Sequence, residues 1–233
     1  LLEDEPRRSP DWLRFRLLAC GLRPRNHLVD LSNYVMLDLG QPTHPFDADR
    51  LAGGSVAVRR ARPGERLMTL DGEERVLEAA ALVIADGERP VALAGILGGG
   101  NSEVTEATRR VFLESASFDA IAVRRTSSRL GLRTDALARF EKALDPALVP
   151  LALQRYAHLL RGLSPAARVA PGWREAGAAR APDVRLELSG AFVRARLGAD
   201  VADDTLARCL RSLGFGVEGL GPGRWNVAVP SWR

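Results

Sequence analysis

The chain has 233 residues, 46% apolar and 27% charged, which is enough for one large core or a medium and a small one and excludes a disordered chain. No apolar run approaches the ~20 residues that span a bilayer, and the acidic-then-basic start LLEDEPRRSPDW is not a signal peptide; lacking an initial methionine, it reads as a fragment of a longer chain. A net charge of +4 and a pI near 9.8 lean mildly toward a nucleic-acid partner, but every basic residue except Lys142 is arginine and no basic strip stands out.

Cys20 and Cys209 lie far apart, so neither a disulfide scaffold nor a zinc site is indicated, and a reduced cytoplasmic compartment is the default. His27, His44 and His158 have no metal-ligand spacing. Residues 10–18 read as a first amphipathic helix, with Ser9 as N-cap, Pro10 at the first position, and Trp12, Leu13, Leu17 and Leu18 on one stripe before Gly21.

Residues 23–50, RPRNHLVDLSNYVMLDLGQPTHPFDADR, combine specific polar groups with apolar ones. Asn33 opens an apolar run that Gly40 and Pro42 close, the order expected at a helix C-terminus. Pro42 and Pro45 then forbid helix, so His44 is expected in a proline-stiffened loop, pre-positioned at small entropic cost. Taken alone, His44 reads equally well as an ordinary loop histidine and Asn33 as a helix-terminal polar residue.

Residues 51–91 change to strand character, with Val56 and Val58 alternating and Asp71-Gly72 and Asp86-Gly87 marking hairpin turns. A mostly antiparallel sheet is expected there. The next apolar strand runs into Gly98, Gly99 and Gly100, a triplet tolerated where backbone must approach something closely, or in a flexible turn. It is neither a P-loop nor GxGxxG. In RVFLESASFD, Glu114 sits among Phe112, Leu113, Ala116 and Phe118, a costly place for a carboxylate unless it is paired, faces a polar cavity, or points outward. A helix capped by Asp119 and ended by Gly131 follows. Another begins at Thr134 and stops before Pro146; its start either offers free N–H groups to a ligand or is an ordinary helix start. Residues 148–163 form a further amphipathic helix, and an Ala/Gly/Pro-rich stretch then reads as a connection. The rest gives strand, helix, helix, hairpin.

Three ordered blocks carry a resemblance. VDLSNYVMLDLGQPTHPFD, PVALAGILGGG with the later LE element, and GLRTDALARFEKALDP are similar to the beta subunit of bacterial phenylalanyl-tRNA synthetase, in the module that edits mischarged tRNA, and the closing VPSWR matches the family's xPSxR. The resemblance implies an α+β fold: a mixed, mostly antiparallel editing domain with flanking helices over residues 1–174, a linker over 175–182, and a small winged-helix-like α+β domain over 183–233. It implies post-transfer hydrolysis of the ester of tyrosyl-tRNA(Phe), as part of a phenylalanine–tRNA ligase, or else a non-catalytic assembly and tRNA-orienting module.

Under that resemblance His44 and Asn33 hold the ester, the terminal adenosine and a water, as the catalytic pair. Glu114, with the Gly95 amide, reads the tyrosine hydroxyl. Ala94, Gly98, Gly99, Ser32, Thr134 and Ala136 line the pocket, Ser32 standing where the family often has threonine. Arg139 and Glu141 read as structural partners. No metal or cofactor is expected in this piece, ATP and Mg2+ belonging elsewhere in the whole enzyme. The expected partners are the synthetase alpha subunit, in a heterotetramer, and the acceptor end of tRNA(Phe), without a membrane.

Overall fold

The computed structural model describes residues 1–177 and 183–233, so residues 178–182 of the expected linker lie outside the described residues. The chain divides into two compact units, Leu1–Leu144 with Leu148–Ala178, and Asp145–Ala147 with Ala179–Arg233. The fold class is α+β, and every strand pairing among the described residues is antiparallel.

The first unit runs β1 (Leu2–Glu3), α1 (Asp11–Ala19), α2 (His27–Leu39), β2 (Thr43–Asp47), β3 (Ala57–Arg60), β4 (Arg66–Met68), β5 (Glu74–Val76), β6 (Leu82–Ala85), β7 (Pro90–Leu93), β8 (Leu97–Gly98) and β9 (Arg110–Ser115). It continues through α3 (Ala120–Leu130), α4 (Asp135–Phe140), α5 (Leu148–Leu163) and β10 (Arg168–Val169). One sheet has the order β10-β1-β9-β2, another β3-β6-β7-β8, and β4-β5 form a hairpin of their own.

Helices α1, α2 and α5 cover the first sheet, burying Leu13, Leu17, Leu28, Leu31 and Val35 with Val111 of β9. Helix α5 presents Ala152, Tyr156 and Leu160, four residues apart and therefore on one face. The phenol of Tyr156 donates to the Leu28 carbonyl at 2.8 Å, tying α5 to α2. Helices α3 and α4 cover the second sheet, where Val123, Leu137 and Phe140 meet Val83 and Leu93.

Local signals account for several element ends. Gly40 caps α2 in the left-handed region at φ 76°, and Gly131 does so for α3 at φ 66°. The Asp119 side chain accepts from Ala122 N at 2.7 Å. Four expectations need correction. Ser9 does not cap α1: its hydroxyl donates to the fully buried Asp30 carboxylate at 2.5 Å, and no side chain caps that helix. Asn33 lies in the middle of α2, which Asn26 opens by accepting from Val29 N. His44 stands in strand β2 rather than a loop; β2 is an edge strand, where the missing N–H of Pro45 breaks no ladder. Helix α4 stops at Phe140, and Ala143 takes φ 60° soon after.

The second unit comprises β11 (Val184–Ser189), α6 (Gly190–Leu197), α7 (Asp203–Ser212), β12 (Gly216–Gly221) and β13 (Arg224–Val229). This is the expected order of strand, helix, helix, hairpin. The sheet order is β11-β13-β12, packed around Leu206, Ala207, Trp225 and Val227. No helix among the described residues is long and apolar enough to cross a membrane.

Tyr156→Phe removes the donor to a buried carbonyl and is expected to cost about 1–3 kcal/mol in urea unfolding. Leu151→Ala, on the half-exposed face of the same helix, is expected to change stability by less than about 0.5 kcal/mol. Equal effects of the two would contradict the assignment of the α5–α2 contact.

Candidate functional site

A cavity of about 1020 Å³ opens in the first unit. Its floor is set by the pairing of β2 with β9, in which His44 stands directly opposite Glu114 and Phe46 opposite Phe112. Alternation along each strand puts these four side chains on one face, and directly opposed Cβ atoms lie ~5 Å apart. The His44 ring meets Phe46 edge-on at 4.4 Å between centroids, and Phe46 meets Phe112 at 6.4 Å. The polar pair thus sits beside two phenylalanines that belong to the packed core and do not themselves line the cavity.

Burial determines the charge state of the pair. Burial lowers His44 from 6.5 to about 4 and raises Glu114 from 4.5 to about 8. Both groups are therefore neutral at pH 7, an imidazole opposite a carboxylic acid. Glu114 is only partly buried as a residue, yet its Oε1 is enclosed and has no hydrogen-bond partner. An enclosed unpartnered oxygen costs stability unless something supplies a donor.

Glycines bring backbone onto this floor. A Cβ on Gly98 would stand 2.6 Å from His44 Cε1 and 2.9 Å from Leu70 Cδ1. Gly95 lies in the tight turn between β7 and β8, with φ +70°, and a Cβ there would be 3.0 Å from the Phe118 ring and 3.1 Å from that of Phe140. Those two rings pack at 5.1 Å and line the cavity. The Gly95 N–H enters no backbone hydrogen bond among the described residues.

The cavity gathers most of the residues anticipated from sequence. Ser32 and Asn33 reach it from α2, His44 from β2, and Glu114 from β9. Gly95, Gly98, Thr134 and Ala136 complete that set. The Ser32 hydroxyl is engaged structurally, donating to the Thr43 carbonyl and accepting from Thr43 Oγ1 at 3.0 Å. Thr134 caps α4 by accepting from Leu137 N at 3.1 Å and donates to the Ile96 carbonyl at 2.8 Å, which fixes the Gly95 turn. That hydroxyl is thus used in both directions, and the helix it caps is six residues long.

Two anticipated residues do not line the cavity. Ala94 is 1% exposed and packs with Phe46, Ile84 and Val91. Gly99 turns to the other side, where a Cβ would meet the Val91 carbonyl oxygen at 2.6 Å. Arg139 bonds the Asp135 carbonyl, and Glu141 lies 3.6 Å from Arg133, both local contacts. Phe118 and Phe140 were missed as cavity walls; in sequence they carry only the signal of core apolar residues. No group of three or more His, Cys, Asp or Glu among the described residues has metal-binding geometry.

Gly98→Ala is expected to lose about 1–3 kcal/mol in thermal unfolding, because the His44 ring must move. Gly100→Ala should be nearly neutral, its nearest neighbour lying at 3.9 Å. Similar losses for both would contradict the packing of Gly98 on His44. The pH dependence also follows. The raised Glu114 group contributes stability that is fully present below 4.5 and lost as pH rises through about 8. The depressed His44 group contributes stability present above 6.5 and lost as pH falls through about 4. Relative to Glu114→Gln, the unchanged chain should therefore lose on the order of 1 kcal/mol per pH unit between pH 5 and 8 in unfolding experiments. A flat difference would contradict the enclosure of Glu114.

Comparison with known proteins places this geometry in context. The B3/4 domain family matches residues 3–165. The phenylalanine–tRNA ligase beta subunit of Moorella thermoacetica is 46% identical over 225 residues, covering 97% of this chain and 28% of that protein. The same subunit from Solibacter usitatus is 45% identical over 225 residues, covering 97% and 29% respectively. The chain thus spans under a third of the length of these relatives. An N-terminal fragment of the phenylalanyl-tRNA synthetase beta subunit from Pyrococcus horikoshii gives a loose likeness, with a TM-score of 0.44 at 15% identity over 100% of this chain and 64% of that one. With its first unit matched almost end to end, the chain belongs to the B3/4 domain family, and nearly all of it is similar to one segment of phenylalanine–tRNA ligase beta subunits.

Proposed function

We propose that the cavity of the first unit hydrolyses the ester of tyrosyl-tRNA(Phe) and spares phenylalanyl-tRNA(Phe). The observation that carries this reading is the enclosed, unpartnered Oε1 of Glu114, held opposite His44 in a cavity with an aromatic wall formed by Phe118 and Phe140. A tyrosine ring suits that wall, and its hydroxyl supplies the missing hydrogen-bond donor. The analogue lacking the hydroxyl leaves Glu114 unsatisfied, and such sites discriminate by about 10⁴–10⁵.

The residues have distinct tasks in this reading. The carbonyl oxygen of neutral Glu114 accepts a hydrogen bond from the phenolic O–H, and the Gly95 amide donates to the phenolic oxygen. With its proton affinity lowered by burial, His44 is a weak general base at neutral pH. It acts by positioning, together with Asn33, the water and the ester. An aminoacyl ester is already activated, so orientation of water by fixed dipoles suffices for hydrolysis.

In the longer relatives this segment is one part of a ligase subunit, and the same setting is proposed here. An alpha subunit carries aminoacylation with ATP and Mg2+ elsewhere, the acceptor end of tRNA(Phe) reaches the present cavity, and the assembly works in the cytoplasm.

The test is calorimetric binding of hydrolysis-resistant tyrosyl-adenosine and phenylalanyl-adenosine analogues. The tyrosyl compound is expected to bind at least tenfold more tightly, and Glu114→Ala to abolish the difference. Equal or absent binding of both compounds sinks the editing reading and leaves the non-catalytic assembly role.

A further inference from the structure

A second cavity, of about 440 Å³, opens on the first unit and shares no lining residue with the first. One wall is helix α3. The other is the segment joining β5 to β6, with Arg60 at the end of β3. Residues 121, 125 and 129 of α3 are four apart and so form one stripe along the helix. Ile121 is 53% exposed, and Arg125 and Arg129 are exposed as well. On the other wall Val76 is 54% exposed. The apolar part of the lining is wholly aliphatic, without an aromatic ring.

The polar groups here are basic and only partly engaged. Arg129 pairs with Glu78, Arg60 reaches only the neutral Ala80 carbonyl, and Arg125 has no ion-pair or hydrogen-bond partner among the described residues. The other lining carboxylate, Asp119, accepts from the Ala122 amide. Thr126 adds a second signal. It is 7% exposed and lines the cavity, yet its hydroxyl makes no hydrogen bond among the described residues, whereas its neighbour Ser127 donates to the Arg124 carbonyl at 3.1 Å. A sheltered hydroxyl without a partner is a place where a ligand gains a hydrogen bond.

We propose that this groove binds an extended acidic peptide segment of a partner protein. The segment lies along α3, with an aliphatic side chain between Val76 and Ile121 and a carboxylate on Arg125 and Arg60. Its backbone supplies the partner that Thr126 lacks. A guanidinium takes a carboxylate through two parallel hydrogen bonds, and Glu78 on Arg129 already shows a carboxylate accommodated on this stripe. The dimensions agree: the stripe from Ile121 to Arg129 is ~12 Å long at the helical rise, and four extended residues span about 13 Å. Single-stranded nucleic acid binds by stacking its bases on aromatic rings, and this lining offers none, which favours a peptide. The inference is independent of the editing reading.

The test is an amide NMR titration of the 233-residue chain with three probes: acetyl-Leu-Glu-Leu-Glu-amide, its counterpart with glutamine for glutamate, and a uridine tetranucleotide. The acidic peptide is expected to shift the amide signals of Val76, Glu78, Ile121 and Arg125 saturably. It should bind about tenfold more tightly than the glutamine peptide. Arg125→Gln and Ile121→Ser should each weaken it about fivefold or more. Both side chains are exposed, so signals elsewhere stay in place and show the fold intact. No localised shift at millimolar peptide, equal binding of the two peptides, or full affinity in Arg125→Gln overturns the proposal. The tetranucleotide shifting the same signals more strongly than the acidic peptide overturns it too, and assigns the groove to nucleic acid.

Discussion

Everything at the floor of the cavity depends on the register between β2 and β9. That register sets His44 opposite Glu114 and Phe46 opposite Phe112. A slip of β2 by one residue would turn His44 and Phe46 to the opposite face, away from Glu114 and Phe112 on β9, which β1 holds from its other side, and dissolve the site. The register is held from several sides. Ser32 and Thr43 exchange hydrogen bonds that bind α2 to the start of β2. At the other end, Thr108 donates to the buried Asp47 carboxylate at 2.7 Å. The strand therefore cannot shift without breaking buried polar contacts at both ends, and such contacts are expensive to lose.

Glycine geometry supplies the second constraint. Gly98 lets backbone lie against the His44 ring, and the Gly95 turn fits under two phenylalanines only because it has no side chain. Thr134 then fastens that turn through the Ile96 carbonyl. Helix α2, strands β2 and β9, the β7–β8 turn and the start of α4 are thus all joined at one place. The floor is assembled from the rigid parts of the unit.

Much of the fold was legible because its signals are local. Gly40 and Pro42 ended α2 as expected, Asp71-Gly72 and Asp86-Gly87 marked real hairpins, and Asp119 with Gly131 bounded α3. The ends of α5 were also read from its pattern. What escaped depends on contacts between distant segments. His44 became a strand residue because it pairs with a segment some 70 residues away, which no local pattern displays. Ser9 left its capping role because Asp30, 21 positions on, needs a buried donor. Motif resemblance named Ala94 and Gly99 as lining residues, yet each turns its face to packed structure. Periodicity gave no hint that Phe118 and Phe140 would wall the cavity, since core phenylalanines look the same in sequence.

The electrostatic state of the floor links this construction to its chemistry. An ionised carboxylate beside a phenylalanine wall would be unstable, whereas a carboxylic acid there offers both a donor and an acceptor to a hydroxyl. Carbon-13 NMR of the Glu114 side-chain carboxyl across pH measures that state directly. With burial pushing its carboxyl up to about 8, Glu114 is expected to be protonated at pH 7, and under the proposed function its resonance is moved by the tyrosyl-adenosine analogue and left in place by the phenylalanyl one. Titration in the ordinary range near 4.5, with no response to the tyrosyl ligand, would contradict the account of the site.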